Sequence, residues 1–425
     1  MTLTTTPNWR HALLAGLIAA LAVLVAGFIL LAVSRLTQPV PTLKSAFAAG
    51  HLVADEAAHR SFARLGRVRA DCETAGLVIA VEKSFGRYML APQLPKDPEE
   101  VLNTCQTVRD LAYGDPGFQA DTRSAKVNPI ALRGITRLAL GFIPLQIWQI
   151  ALAVIALAIG GATAFFLVRG RRATVVKLAV LGAATVAAAV FAATSLSLGI
   201  GALLWPASIA AAFFVTDTSP WRRLAVCGLL GAGAITFDYG SALGVTVLLS
   251  LLFGLAVQET KPADLLSALA AYLAAAATTV IVLALAQANA RGFAILDTAG
   301  FIIERFTDGI LLLGDNGAAI ANRSGERIGK LLARYDGWSG IILYAGLCAV
   351  AFSGWALWLK GQKALGLLIL ASGAGLLLWS LFAFDRLFAN PLQFASLPLL
   401  LLAYTLVSVV ATLAWNRKEN LETAL

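Results

Sequence analysis

Charge is scarce in this chain. Of 425 residues only 13% are Asp, Glu, Lys or Arg, while 59% are hydrophobic, a balance that excludes a soluble protein of this length, whose apolar share is nearer half. Histidine is scarcer: His11, His51 and His59 are the three present, so a multi-histidine metal centre is not expected. No P-loop, H-E-x-x-H, G-x-S-x-G or zinc-type Cys/His spacing occurs, and the soluble enzyme classes those motifs mark are excluded with them. The apolar runs have interiors of Ala, Leu, Val and Gly. An ion-coupled transporter needs acidic or basic groups near the bilayer midplane, so transport ranks as a secondary expectation.

What is present points to an all-α, polytopic membrane protein. A helix crosses a bilayer with about 20 apolar residues, and apolar runs occur at 12–33, 143–168, 174–194, 200–216, 224–238, 241–257, 266–289, 338–359, 364–384 and 395–415. About ten transmembrane helices are expected, with a soft turn around Ser195 to Gly201. The net charge of +9 is spread in short basic clusters between runs, which serves membrane orientation and not nucleic-acid binding. Arg169, Arg171, Arg172, Lys177, Arg222, Arg223, Lys261, Lys360, Lys363, Arg417 and Lys418 fall in connections of one side. By the positive-inside rule that side is cytoplasmic, with both termini on it, and the chain is expected in the cell inner (plasma) membrane. The domains expected are a leader with the first helix over 1–33, an extracytoplasmic loop domain over 34–137, helices two to seven over 138–289, an extracytoplasmic amphipathic segment over 290–337, and helices eight to ten with a tail over 338–425.

The interval 34–137 is long enough to fold. Asp97-Pro98-Glu99-Glu100 starts a helix by capping and dipole chemistry, and Val101, Leu102, Cys105, Val108 and Leu111 continue it to a stop at Gly114. A second helix is expected over about Ser45 to Leu65, whereas Thr74 to Leu90 fits helix or strand. Cys72 and Cys105 share this compartment; in an oxidising space a disulfide between them is allowed, stabilising by about 3 kcal/mol, and the alternative is two buried thiols. Cys227 and Cys348 lie in apolar runs as small fillers. His51, Asp55 and His59 share a helical spacing that suits ligands or, more simply, a solvated face. In 290–337, Phe301, Ile302, Phe306, Ile310 and Leu313 form one apolar stripe, and Ile328, Leu331, Leu332 and Tyr335 another beside Arg323, Arg327, Lys330 and Arg334. Such segments lie at a membrane interface, either to bind a lipid phosphate or as structural surface helices.

A cytoplasmic start, one span, a large outer interval with acids, many spans and a second outer interval together resemble the GT-C class of membrane glycosyltransferases. Asp71-Cys72 is similar to an acid–cysteine pair in the first outer loop of some bacterial members. Arg133-Gly-Ile-Thr-Arg137-Leu-Ala-Leu-Gly-Phe-Ile-Pro-Leu-Gln-Ile147 resembles their entry to the second span, and Phe237-Asp238-Tyr239 a Phe-Asp-aromatic element at a later span end. Ser124-Ala-Lys-Val-Asn-Pro129 lacks the Tyr and His residues such proteins carry before the two arginines. The resemblance implies transfer of a sugar from a polyprenyl-phosphate donor to an acceptor on the outer face, with the lipid-linked donor and membrane lipids as partners. Asp71 is then the expected general base, with Glu56 or Glu73 as substitutes. Arg133, Arg137 or Arg386, or a divalent metal ion, would stabilise the departing phosphate, and Asp238 would orient the acceptor or hold a helix end. A lipid-linked substrate transporter or flippase, and a non-catalytic membrane assembly protein, are the alternatives.

Overall fold

The computed structural model describes residues 9–52, 71–72, 74–79, 94–95, 104–114, 120–121, 129–215, 219–238, 243–258, 260, 262–290, 338–359, 363–382 and 400–410. Among them the fold is helical apart from one two-residue antiparallel pair, β1 (Leu94–Pro95) and β2 (Ala120–Asp121), with Leu94 opposite Asp121. The helices are α1 (Trp9–Ser34), α2 (Val40–Ala48), α3 (Thr104–Tyr113), α4 (Ile130–Leu140), α5 (Leu145–Arg169), α6 (Val175–Thr194), α7 (Gly199–Ala202), α8 (Leu204–Val215), α9 (Pro220–Phe237), α10 (Leu243–Val257), α11 (Pro262–Ala290), α12 (Trp338–Leu359), α13 (Lys363–Phe382) and α14 (Leu400–Val410). Residues 71–72 and 74–79 are also helical. Each of the ten apolar runs is thus represented by helix. Among the described residues four helices are long and apolar enough to cross a membrane: α1, α5, α6 and the Ala263–Gln287 part of α11. Shorter apolar helices lie at Gly199–Val215, Leu243–Val257, Ala345–Leu359, Leu365–Ala374 and Leu400–Val410.

The packing is inverted relative to a soluble protein. On α1 the buried side is mostly small, with Ala12, Ala15, Gly16, Ala19, Ala20 and Gly27, whereas Leu17, Ile18, Leu21, Val25 and Ile29 face outward. Large aliphatic groups outside and small ones inside suit a lipid solvent, where helices associate by close backbone approach. That approach is visible where α1, α9 and α11 meet. A Cβ on Gly16 would stand 2.7 Å from the Ala271 carbonyl oxygen, one on Gly228 would stand 2.9 Å from the Ala19 Cβ, and one on Gly231 would run into the Tyr272 backbone. At the far end of the chain α12 and α13 form an antiparallel hairpin through Gly354, Gly366 and Gly373. α14 docks on α10, with the Tyr404 hydroxyl 2.7 Å from Ser250 Oγ and its ring 5.1 Å from Phe253.

Side-chain contacts set the helix directions. His11 stacks on Trp221 at 5.2 Å and Arg223 pairs with Asp264 at 2.6 Å, so α1, α9 and α11 all begin at one end. Phe166 meets Phe214 at 6.5 Å, bringing the ends of α5 and α8 together. This end carries the Arg and Lys clusters of the connections and is called the basic end below; the ends of α1 and α6 lie at the opposite, or Asp71, end.

Two local features differ from the sequence expectation, and a third, the soft turn around Ser195 to Gly201, agrees with it. α2 begins at Val40, behind Pro39 and with Pro41 in its first turn, and stops at Ala48, so the expected helix over about 45 to 65 is broken at 49–52; its remainder, 53–65, lies outside the described residues. Prolines fix φ for a first turn, and Gly50 with φ 71° lets the chain leave the helix, as Leu52 N–H bonds back to Ala46 O at 3.2 Å. α4 is a helix where an outer loop was expected to end, at 137; its Arg133 and Arg137 hide an apolar face from a hydropathy reading. The soft turn is a break in which residues 195–198 separate α6 from the short α7. Thr74 to Leu90 is helical over 74–79, and Gly114, with φ 86°, ends α3. The expected amphipathic segment 290–337 lies outside the described residues beyond Ala290.

Candidate functional site at the Asp71 end

Asp71 is buried, at 7% exposure, at the junction of the 71–79 segment with the bundle. Its Oδ1 accepts three hydrogen bonds, from the backbone N–H groups of Leu196 and Ser197, both at 2.8 Å, and from the Ser195 hydroxyl at 2.9 Å. The break after α6 makes this possible: a continuous helix would turn those N–H groups inward to its own carbonyls, whereas extended backbone at Ser195 (φ −129°, ψ 134°) leaves them for a side chain. Ser195 Oγ also lies 3.1 Å from Ser197 Oγ and accepts from the Leu198 N–H at 3.2 Å.

One residue along, Cys72 is disulfide-bonded to Cys105 with a Cα–Cα distance of 5.0 Å, and both cysteines are fully buried. The bond ties the helical residues 71–72 to α3. Around it Leu43, Phe47, Ala75, Val78, Val108 and Ala112 form a small core that continues into Leu140, Leu145 and Leu196 of the bundle. The disulfide-bonded segment therefore shares an apolar core with the helix ends.

Arg133 and Arg137 stand one turn apart on α4 and are almost wholly buried, at 0% and 3% exposure. Arg133 Nε donates to the Leu77 carbonyl at 2.9 Å. Arg137 donates from Nε to Ser34 O at 3.1 Å, from one terminal nitrogen to Thr37 O at 3.0 Å, and from the other to Val78 O. The Thr37 hydroxyl returns a bond to Arg137 O at 3.1 Å. The acceptors are the carbonyls of Ser34 at the end of α1, of Thr37 in the turn after it, and of Leu77 and Val78; Ser34 O also accepts from the Thr37 N–H and hydroxyl. The guanidinium groups thus hold buried backbone oxygens, with their fork of donors directed at them.

Asp238 is the C-cap residue of α9 and is half-buried. Its neighbour Phe237 packs against the cluster of Leu77, Leu132, Leu152, Ala192 and Ile200, so the α9 end meets the same junction as the Asp71 segment. Below it the Tyr272 hydroxyl donates to Gly244 O at 2.6 Å. Glu56, Glu73 and Arg386 lie outside the described residues, as do Asp55 and His59; His51 lies beyond α2, its Nδ1 3.3 Å from Gln146 Nε2. Of the expected site residues the structure thus brings Asp71, Arg133, Arg137, Asp238 and the disulfide to one end of the bundle. Ser34, Thr37, Ser195 and Ser197 complete that network. Nothing in their spacing marks them, because they pair with Asp71 and Arg137 across 100 positions or more, 100 between Thr37 and Arg137 and 125 between Asp71 and Leu196. Among the described residues no group of three His, Cys, Asp or Glu side chains could hold a metal ion. Comparisons of the chain with family models, with curated proteins and with solved structures return no match.

Proposed function

We propose that this membrane protein spans the bilayer ten times with both termini cytoplasmic, and that its Asp71 end is the outer face of a GT-C-like glycosyltransferase using a polyprenyl-phosphate sugar donor. The observation that supports this is the meeting of the Asp71 segment, the Ser195–Ser197 break and the Phe237–Asp238 helix end at the pole opposite the basic clusters. Arg10, Arg169, Arg171, Arg172 and Arg222 gather at the other pole, which the positive-inside rule assigns to the cytoplasm. In the proposed reaction a carboxylate takes the proton from an acceptor hydroxyl as its oxygen bonds to the anomeric carbon. The bond from that carbon to the donor phosphate breaks, and polyprenyl phosphate leaves with its charge neutralised by a cation. Arg133 and Arg137 hold backbone carbonyls, so the phosphate role in this proposal moves to Arg386 or a metal ion. Asp71 remains the proposed base, with Glu56 or Glu73 as substitutes.

Asp71→Asn is the deciding variant. An amide oxygen still accepts from Ser195, Leu196 and Ser197, so the junction stays closed while the base is lost. Purified protein in lipid, supplied with radiolabelled polyprenyl-phosphate sugars and a membrane-lipid acceptor fraction, should lose at least 100-fold in transfer rate, the scale of general-base catalysis; an unchanged rate removes Asp71 from the chemistry.

A second proposal has its own support: the two arginines and one oxygen of Asp71 are engaged in fastening the outer segment to the bundle. On it the protein is a non-catalytic assembly protein that presents a rigid outer domain. Wild-type protein would then transfer no sugar, and Asp71→Asn would leave cellular function intact while Asp71→Ala, which opens the junction, would abolish it.

A further inference from the structure

Two large apolar side chains stand out from the Asp71 end in turns, where no helix face accounts for them. Leu36 is 86% exposed just after α1, and Phe142 is 78% exposed between α4 and α5. The two turns are held together, because the Thr37 side chain packs on Gly141, where an added Cβ would meet its methyl at 3.0 Å, and the Thr37 hydroxyl bonds to Arg137 O. Leu36 continues the outward stripe of Ile29 and Val33 at spacings of four and three, and Phe142 leads into the outward stripe of Ile147, Ile150 and Val154 on α5. Both are therefore continuous with surface that the inverted packing assigns to lipid.

Length decides at what level they sit. From Trp9, exposed at the basic end, to Leu36 is about 40 Å at 1.5 Å per residue, and Phe142 to Arg169 is about the same. A bilayer is roughly 30 Å thick in its hydrocarbon core and about 40–45 Å with its headgroup regions. Both residues fall inside the outer interfacial layer.

We infer that Leu36 and Phe142 are a paired anchor seated in the outer leaflet's interfacial region, holding α4 and the disulfide-bonded segment at headgroup level. The occupant of this apolar surface is lipid. Water does not fit two adjacent large hydrophobes on a fixed turn, and Arg35, exposed beside Leu36, suits a neighbouring phosphate. The inference stands whether or not the protein transfers sugar.

Site-directed spin labelling tests it in full-length protein. Leu36→Cys and Phe142→Cys, made singly with Cys227→Ala and Cys348→Ala and with the Cys72–Cys105 bond kept, are labelled with a nitroxide in nanodiscs of phosphatidylethanolamine and phosphatidylglycerol. Val25→Cys, half-exposed at mid-helix on α1, gives the hydrocarbon reference. Collision with oxygen relative to a water-soluble nickel chelate should fall between that reference and a label free in buffer at both positions. Buffer-like ratios at both would overturn the anchor, and protection from both reagents would do so too, by showing protein and not lipid over the surface. Bimane at the same positions should be quenched at least twofold by lipids brominated high on the acyl chain; unquenched emission counts against the inference even if the nitroxide perturbs the turn.

Discussion

At the scale of single residues, the Asp71 end is an arrangement in which charged side chains hold buried backbone donors and acceptors at and beside helix ends. Removing such a side chain leaves several buried donors or acceptors unpaired at once, each worth about 1–3 kcal/mol. Asp71→Ala should therefore destabilise by about 3 kcal/mol or more, and Asp71→Asn by about 1 kcal/mol, a difference that thermal unfolding in detergent or nanodiscs measures directly. Arg137→Lys should recover little, since one ammonium lacks the fork that reaches Ser34, Thr37 and Val78 together. A loss of about 2–4 kcal/mol is expected, and equal stability of Arg137→Lys and wild type would contradict that role. Asp71, Arg133 and Arg137 were singled out in the sequence by the resemblance to GT-C loops, as a base and phosphate ligands and not as groups that hold backbone. Their partners were not, because main-chain carbonyls and N–H groups have no sequence signature and because α4 brings its arginines to carbonyls 56 to 103 positions away.

Among the elements, glycine marks where helices touch. Gly231→Val would drive a branched side chain into the Tyr272 backbone, which has no way to give, and should separate α9 from α11 at a loss of about 3 kcal/mol. Gly161→Ala and Gly182→Ala meet nothing within 4 Å and should be neutral or stabilising by up to about 1 kcal/mol. Unfolding midpoints of the three variants, measured side by side, check the contrast. Helix positions were readable from apolar run length alone, and α1, α5, α6 and α11 match their runs to within a few residues. The small-residue seams were readable only in part: Gly16, Gly228 and Gly231 look no different in sequence from Gly161, and packing alone tells them apart. α4 was missed because its buried face contains two cations, which a hydropathy pattern counts as surface.

For the whole molecule, the two ends differ in chemistry and the bilayer should register that difference. A membrane-impermeant maleimide applied to intact cells should label a cysteine placed at the exposed position Ala48 and should not label one at the exposed position Arg222 until the membrane is opened; the reverse pattern would invert the proposed topology. Replacing Cys72 and Cys105 by Ser should lower stability by about 3 kcal/mol and leave the bundle helical by circular dichroism. One feature sets an order of events on the chain as it is made. The Ser34 carbonyl that ends the first helix and the Thr37 carbonyl in the turn after it meet their guanidinium only when Arg137 has been synthesised, 103 and 100 positions later. Between those moments the ribosome must deliver everything from Gln38 to Thr136, so that turn waits for its partner through about a quarter of synthesis. Docking of the turn on α4 is in consequence a late event, and a nascent chain truncated before Arg137 should be cleared by membrane proteases while one truncated shortly after it persists.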